Sequence, residues 1–457
     1  MWNEICEKVF VECTNCFEQN GIKYFVLRNF DELPKKNAGK DVDIIIFPGQ
    51  LKKAKKILKE VYRKNGLPYY DEAIFDRLHC THGMGIESHT GIHIDLMEGL
   101  VVKGFEFLRF EDAFQHIRKS QGFFAIDEFY EGLLLLVYKL FGYKKPVIKE
   151  KYWNKIRKAY QQNQEAFQKA LGELVSPKLS EKICYEIQKN HCDAVISYGK
   201  ILNKKMRRRI FGRRPVHTML GILRFVVGKA DRIIFRYGKY SRTFAVLGPD
   251  GVGKSTFIEQ LINQLNEYYV SDAEDQRFHL YHFRPTLFPN LGMIGKKEEK
   301  KNEKGPSDPH GKQAAGRLSS LFRIMYYTTD YILGWMRYVR QDVHYDRFSV
   351  FDRYSYDLLV DPLRTRLNLR EGTRRFFVKL TPKPKIIFIL TANPETIYAR
   401  KQELSPEEIE RQQKEYIKIS KRDQRVRMLS TNETMDEVVA KAVKIVLEEY
   451  GIHERAI

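Results

Sequence analysis

Cysteine is scarce, with six residues in a chain of 457. That is too few for the disulfide framework that staples small secreted folds, so a reducing compartment is expected. Long apolar runs are missing as well. The longest, Leu133 to Tyr138, falls far short of the roughly 20 residues that a membrane-spanning helix needs. The start of the chain, Met1-Trp2-Asn3-Glu4, carries an acid early and lacks the basic start and apolar stretch of a signal peptide. No internal repeat is visible. These absences exclude secreted, membrane-spanning and repeat classes, and the expectation is a soluble cytoplasmic protein. Acid is nearly absent from one segment: between Lys200 and Thr243 fourteen Lys/Arg face the single acid Asp231.

That segment supplies more than half of a net charge of +21. It opens with Lys204-Lys205-Met206-Arg207-Arg208-Arg209 and Arg213-Arg214, then becomes helical. Met219, Ile222, Leu223, Val226, Ala230, Ile233, Ile234 and Tyr237 recur mostly at spacings of three and four, with Arg224, Lys229, Arg232, Arg236 and Lys239 on the other face. Such a helix packs its apolar side on a neighbouring domain, or lies on an anionic bilayer at the inner face of the membrane. Nucleic acid is the least favoured partner, because no recognised nucleic-acid module adjoins the segment.

An apolar fraction of 43% with 13% aromatics marks a globular chain, and its length calls for two or three domains. Residues 1–20 read as a helix with Ile5, Val9, Cys13 and Cys16 on one stripe, Tyr24 to Leu27 and Val42 to Phe47 as strands, and Gln50 to Lys64 as a basic helix. Gly91 to Met97 alternates as a strand, and the pattern from Phe110 to about Lys205 is helical throughout. After the basic segment, strand and helix patterns alternate, the signature of a parallel sheet. Lys296 to Lys304, followed by Gly305-Pro306, reads as a charged mobile loop. The expected organisation is an α+β domain over 1–109, a helical segment over 110–205, a basic amphipathic linker over 206–242 and an α/β domain with a doubly wound parallel sheet over 243–457.

The α/β domain opens on chemistry. Thr243 to Leu247 is a short apolar strand that runs into Gly248-Pro249-Asp250-Gly251-Val252-Gly253-Lys254-Ser255-Thr256, and Phe257 to Leu265 follows as an apolar-periodic helix. This is G-x-x-x-x-G-K-[ST] in its strand–loop–helix setting, a P-loop. The glycines let backbone N–H groups curl around a phosphate, and the helix N-terminus adds its partial positive charge. Lys254 reaches the β- and γ-phosphates and the Ser255 hydroxyl ligates Mg²⁺, so ATP and Mg²⁺ are the expected cofactors. Downstream, Phe348 to Phe351 is a strand that ends at Asp352-Arg353-Tyr354, which sets a carboxylate beside the loop to hold Mg²⁺ or accept a proton. Pro384 to Leu390 is a further strand, Pro394 to Arg400 starts a helix, and Arg400, Lys401 and Arg411 charge a segment suited to a closing lid.

The Gly-Pro-Asp-Gly start of the loop, the Asp352-Arg353-Tyr354 triplet and the Asn393-Pro394-Glu395…Arg400 helix together resemble the thymidylate kinase family, in its order, over about 210 residues. The resemblance implies a P-loop nucleoside-monophosphate-kinase-like fold with Asp352 and Arg353 at the transfer centre. It puts Arg400 in the lid with Lys401 and Arg411, and Ser430-Thr431-Asn432 by the adenine. Where that family carries Arg-Glu-Pro-Gly-Gly-Thr, this chain reads His282-Phe283-Arg284-Pro285-Thr286. Arg284 and Tyr354 stay candidates for the acceptor, but the family's own acceptor is not implied. Arg364, Arg366 and Arg370 after Asp361 suggest an anionic acceptor or a solvated helix face. Composite chains of this kind resemble kinase-like proteins of bacterial surface-polysaccharide synthesis, which implies a sugar or glycolipid acceptor as an alternative to a nucleoside monophosphate.

At the other end, Asp41-Val42-Asp43 leads a strand whose alternation puts both acids on one face, about 7 Å apart, and Gly91 to Leu96 offers Asp95 in the same way. Three strand carboxylates are a two-metal recipe for nucleotidyl transfer, and the set resembles the polymerase-β-type nucleotidyltransferase superfamily. The family's Gly-Ser is replaced by Leu27-Arg28-Asn29-Phe30, which leaves retained activity open. Cys13-Thr14-Asn15-Cys16 and His79-Cys80-Thr81-His82 have metal-like spacing, yet Cys13 falls on an apolar stripe, where it reads as a small hydrophobe. His89 and His93 read as structural or site-lining. The combined expectation is an ATP-dependent phosphotransferase fused to a nucleotidyltransferase-like domain. The alternative is a regulator or scaffold whose P-loop senses nucleotide.

Overall fold

The computed structural model describes residues 2–37, 39–143, 145–235, 237–271, 273–289 and 315–451. The charged stretch Lys296–Lys304 and Arg236 lie outside the described residues. The chain divides into two compact units, one formed by residues up to 230 with 268–270, the other by 231–267 with 271–450.

The first unit is built on a seven-stranded mixed sheet. Tyr24–Val26 lies antiparallel to Val42–Ile46, which runs parallel to Thr90–Glu98, and Tyr69–Phe75 and Leu78–Gly85 extend that side. Helices Glu4–Gln19 and Leu51–Lys64 bury Val9, Cys13, Phe17, Leu58 and Tyr62 in one core with the sheet. The expectation of helix throughout from Phe110 is corrected. Ile117–Ser120 and Phe123–Ile126 form a hairpin that completes the sheet, with Phe123–Ile126 parallel to Tyr24–Val26. Its two-residue turn, Gln121-Gly122, has positive φ at both positions, the conformation that matches strand twist in a tight hairpin. Helices resume at Glu128–Gly142 and continue through Pro177–Gln188 to Gly199–Arg213 and Pro215–Ala230.

The second unit carries the expected parallel sheet, five strands in the order Phe278–His282, Phe348–Asp352, Arg242–Leu247, Ile386–Thr391, Val426–Ser430. Arg242–Leu247 is buried along its whole length, as a strand covered on both faces must be. From it the chain crosses to the edge strand Phe278–His282, returns inward through Phe348–Asp352 and passes to the other side, a reversal of direction that right-handed crossovers turn into helices on both faces. Loops at the carboxyl ends on either side of such a reversal form a crevice. Arg232 does not belong to a solvated basic rim. It is buried and donates to Val343 O at 2.9 Å and to Asp346 at 3.0 Å. Arg242 and Arg277 also pair with Asp346. Burial opposes ionisation, but the three guanidinium groups, Arg242 first, hold Asp346 far below the usual carboxylate range. Asp346→Ala removes the acid that these three cations share and should destabilise this unit by about 3–5 kcal/mol, read from the urea midpoint. A shift under about 1 kcal/mol would mean that water compensates the arginines.

Candidate functional site

In the second unit the loop between Leu247 and helix Lys254–Tyr268 has positive φ at Gly248, Gly251 and Gly253. At Gly248 a Cβ would stand 2.7 Å from the carbonyl oxygen of Leu390, so only glycine lets the loop pass so near the neighbouring strand. Thr431 Oγ1 donates to Val252 O at 3.1 Å and ties the Ser430-Thr431-Asn432 stretch to the loop. Ser255 and Thr256 are exposed on the first helical turn. Lys254 folds back over the loop, its Nζ 2.9 Å from Gly248 O and 2.8 Å from Pro249 O. Burial, and then the charge of Arg353, press its ammonium down to about 8 against the pull of Asp250, Asp357 and Asp352.

Asp352 lies opposite Val246 in the parallel register, two residues before Gly248. One carboxylate oxygen meets His282 Nδ1 at 3.0 Å. The other, Oδ1, is buried with no hydrogen-bond partner. Burial favours the protonated acid, yet the His282 contact and the charges of Lys254 and Arg353 leave Asp352 below its ordinary value. Arg353 takes a left-handed backbone, φ 72°, at a cost of about 1–3 kcal/mol. That turn sends its guanidinium to Asp357 at 2.9 Å and to Asp250. Asp250 also receives Arg364 and stands 3.6 Å from Lys254. Burial opposes its ionisation, but Lys254, Arg353 and Arg364 hold it far below the carboxylate range. Three cations therefore converge on one acid at the loop.

Of the other expected site residues, Arg400 and Lys401 lie near the loop, whereas Tyr354 and Arg284 are buried. Tyr354 lies in the core: it is fully buried, its ring edges against Trp335 and Phe351, and its hydroxyl donates to Pro382 O at 2.7 Å. Arg284 is buried too, paired with Asp330 and packed on Tyr326 and Tyr327. Arg400 is exposed at the end of helix Pro394–Arg400 and reaches Thr431 O at 3.3 Å. The rest of the expected lid is helix Pro406–Ser420 with Ile409, Gln412 and Tyr416 buried, and Arg411 is held by Glu408 and Val360 O. Sequence reasoning named Arg364 but not its partner Asp250, and it passed over His282 and the tie from Asp357 to Arg353. The i,i+4 spacing of Arg353 and Asp357 was a usable signal. His282 was not, because its pairing opposite Asp352 depends on strand order.

In the first unit Asp43 and Asp95 face each other in the parallel register, and Asp41 precedes the strand. One oxygen from each of the three lies within 4.8 Å of the others. Cys80 and His93 extend the group around Asp95, with His93 Nε2 at 2.8 Å. Arg28, which stands where the Gly-Ser was missing, reaches Asp41 at 3.2 Å and also binds Asp43. Burial pushes Asp43 up to about 7, with Arg28 opposing and Asp41 and Asp95 adding to the rise. In the unfolded chain that carboxyl titrates near ~3.9. The folded state thus keeps a proton that the unfolded chain has lost, and stability falls as pH rises between those values. A divalent cation can take the proton's place. Millimolar Mn²⁺ should raise the melting temperature of the intact protein more at pH 8 than at pH 5, and Asp41→Asn with Asp43→Asn should remove the difference. A wild-type protein indifferent to Mn²⁺ at pH 8 would leave the trio as a charge network closed by Arg28. Cys13 is fully buried on its helix, a hydrophobe as expected.

No protein-family model matches this chain, and no curated protein matches it. Among solved structures, a crystal structure of thymidylate kinase from Ehrlichia chaffeensis aligns with 45% of this chain and 98% of its own, at 14% identity and a TM-score of 0.29. A superposition that loose has no bearing on chemistry.

Proposed function

We propose that the C-terminal unit is an ATP-dependent, Mg²⁺-using phosphotransferase, attached to a nucleotidyltransferase-like N-terminal unit. The observation that carries this reading is the state of Asp352. Its Oδ1 is buried without a hydrogen-bond partner at the carboxyl edge of a parallel sheet, beside a glycine loop and the cations Lys254 and Arg353. A buried carboxylate oxygen left open is one that a bound cation would satisfy. The loop fits the other half of the ligand, since its positive-φ glycines and helix N-terminus suit a phosphate.

Ser255 and Asp352 would hold Mg²⁺, and residues Gly248 to Thr256 would hold ATP. ATP supplies the phosphoryl group, and the cation neutralises part of its charge. Lys254 exchanges the carbonyls of Gly248 and Pro249 for phosphate oxygens. Arg353, aimed by Asp357, and Arg400 add positive charge where negative charge gathers during transfer. Arg284 is buried against Asp330, so recognition of an anionic acceptor falls first to Arg364, which pairs with Asp250 but is partly exposed. That acceptor is a nucleoside monophosphate or a sugar intermediate of surface-polysaccharide synthesis.

The regulatory alternative draws on the same acid. Asp250 already compensates Lys254, Arg353 and Arg364, an arrangement that also suits a loop that only senses nucleotide. ADP formation with and without nucleoside monophosphates, sugars and a glycolipid extract separates the two. A transferase gives acceptor-stimulated turnover. Binding without stimulated turnover would assign the loop to sensing.

A further inference from the structure

One helix of the N-terminal unit turns its apolar side outward. Along Pro215–Ala230 only Thr218 is buried. Val216, Met219, Leu220, Leu223, Val226 and Val227 are each 54% to 67% exposed, and their spacings of three and four align them on one stripe about 17 Å long. The opposite side is the packed one. Gly221 meets Gly104 so closely that a Cβ would stand 2.3 Å from its carbonyl oxygen, and Ile222 packs on the N-terminal core. Six large apolar side chains in one contiguous stripe are more than the scattered exposure usual on a soluble surface.

The surroundings are strongly cationic, although Arg214 pairs with Glu106 at 3.1 Å. From Gly199 to Ala230 there are ten Lys/Arg and no Asp or Glu. Between this helix and Gly199–Arg213 a groove of about 1040 Å³ is lined by Lys103, Lys200, Lys204, Arg207 and Lys229, with no carboxylate in its lining. Lys103 donates to Gly142 O and Arg207 to Asn203. Phe225, from the same helix as the stripe, forms part of the groove wall.

We propose that this face docks on an anionic phospholipid bilayer. The stripe enters the boundary between headgroups and acyl chains, and the cations of the helix pair and groove engage lipid phosphates. A second copy of the chain is disfavoured as the occupant, because a two-fold contact would set this strongly basic surface against itself. Nucleic acid accounts for the charge but leaves the apolar stripe without a role. Attachment is to the surface, since no described helix is long and apolar enough to cross a membrane.

Flotation of the intact protein with vesicles tests this, using phosphatidylcholine alone or with about a third phosphatidylglycerol. The expected result is binding to the anionic vesicles and little to the neutral ones. Leu220→Asp with Leu223→Asp, and separately Arg224→Glu with Lys229→Glu, should each weaken partitioning by about tenfold or more. These side chains are exposed, so melting should not change. If the aspartate pair fails to fold, the charge-reversal pair and the lipid preference still decide. Indifference to phosphatidylglycerol would overturn the proposal, as would binding that the aspartate pair leaves intact. So would a dimer in sedimentation that the aspartate pair splits, or preferential capture by duplex DNA in competition with the vesicles.

Discussion

Lys254→Ala is expected to lower phosphoryl transfer by roughly a hundred- to a thousandfold, the range found when one preorganised charge-stabilising donor is lost. The ammonium rests on two loop carbonyls and is not packed among apolar side chains, so truncation removes a charge without opening a cavity. The fold should survive, as checked by an unchanged melting profile. The depressed Lys254 supplies a second readout. Burial and Arg353 press it to about 8, and a bound polyphosphate raises it again. ATP binding should therefore take up a proton when measured somewhat above pH 8 and none near pH 6. Calorimetry in buffers of different ionisation enthalpy reads that proton, and the alanine variant should show none. Unchanged turnover in the variant would sink the kinase assignment.

Asp352→Asn should separate binding from chemistry. The loop backbone does most of the holding of a nucleotide, so affinity for ATP should change by no more than a few-fold. Turnover should fall by about a hundredfold or more, the scale of a lost acid–base or metal-holding group. The amide keeps the shape and the contact with His282 but cannot offer a charged oxygen at Oδ1, the atom now buried without a partner. Both quantities should be taken on one preparation. Activity within a few-fold of the wild type would move the catalytic carboxylate to Asp357 or Asp361, of which Asp357 is already committed to Arg353 and Tyr416.

The features legible in the sequence were those written locally. The strand, glycine loop and helix around Lys254 are contiguous, so each residue type announces its neighbour's conformation. Alternation put Asp41 and Asp43 on one face and offered Asp95, because period two is a property of a single strand. That Asp43 and Asp95 face each other depends on the pairing of Val42–Ile46 with Thr90–Glu98, which no local pattern encodes. The hairpin at 117–126 was hidden because its turn is Gln-Gly, a weaker signal than Asn-Gly.

Long-range partners explain the remaining differences. Arg284 looked like an acceptor cation because Asp330, 46 residues away, could not be foreseen beside it. Tyr354 follows two charged residues, yet the left-handed turn at Arg353 directs it into the core. The periodicity of the basic segment was legible, but which face of Pro215–Ala230 would pack was not. That choice is made by Gly221 against Gly104, a contact between two glycines more than a hundred residues apart. Arg28 shows the same dependence. Its role across Asp41 and Asp43 emerges only once the strand Tyr24–Val26 lies beside Val42–Ile46.

The most direct test of the central claim is to follow the terminal phosphoryl group itself. Intact protein is incubated with Mg²⁺ and ATP labelled at the γ-phosphate, together with nucleoside monophosphates, sugars or a glycolipid extract, and the products are separated and identified by mass. The account predicts label covalently attached to one acceptor class, lost in both Lys254→Ala and Asp352→Asn. Label that stays in ATP, or that appears only as free phosphate whatever acceptor is present, would contradict it.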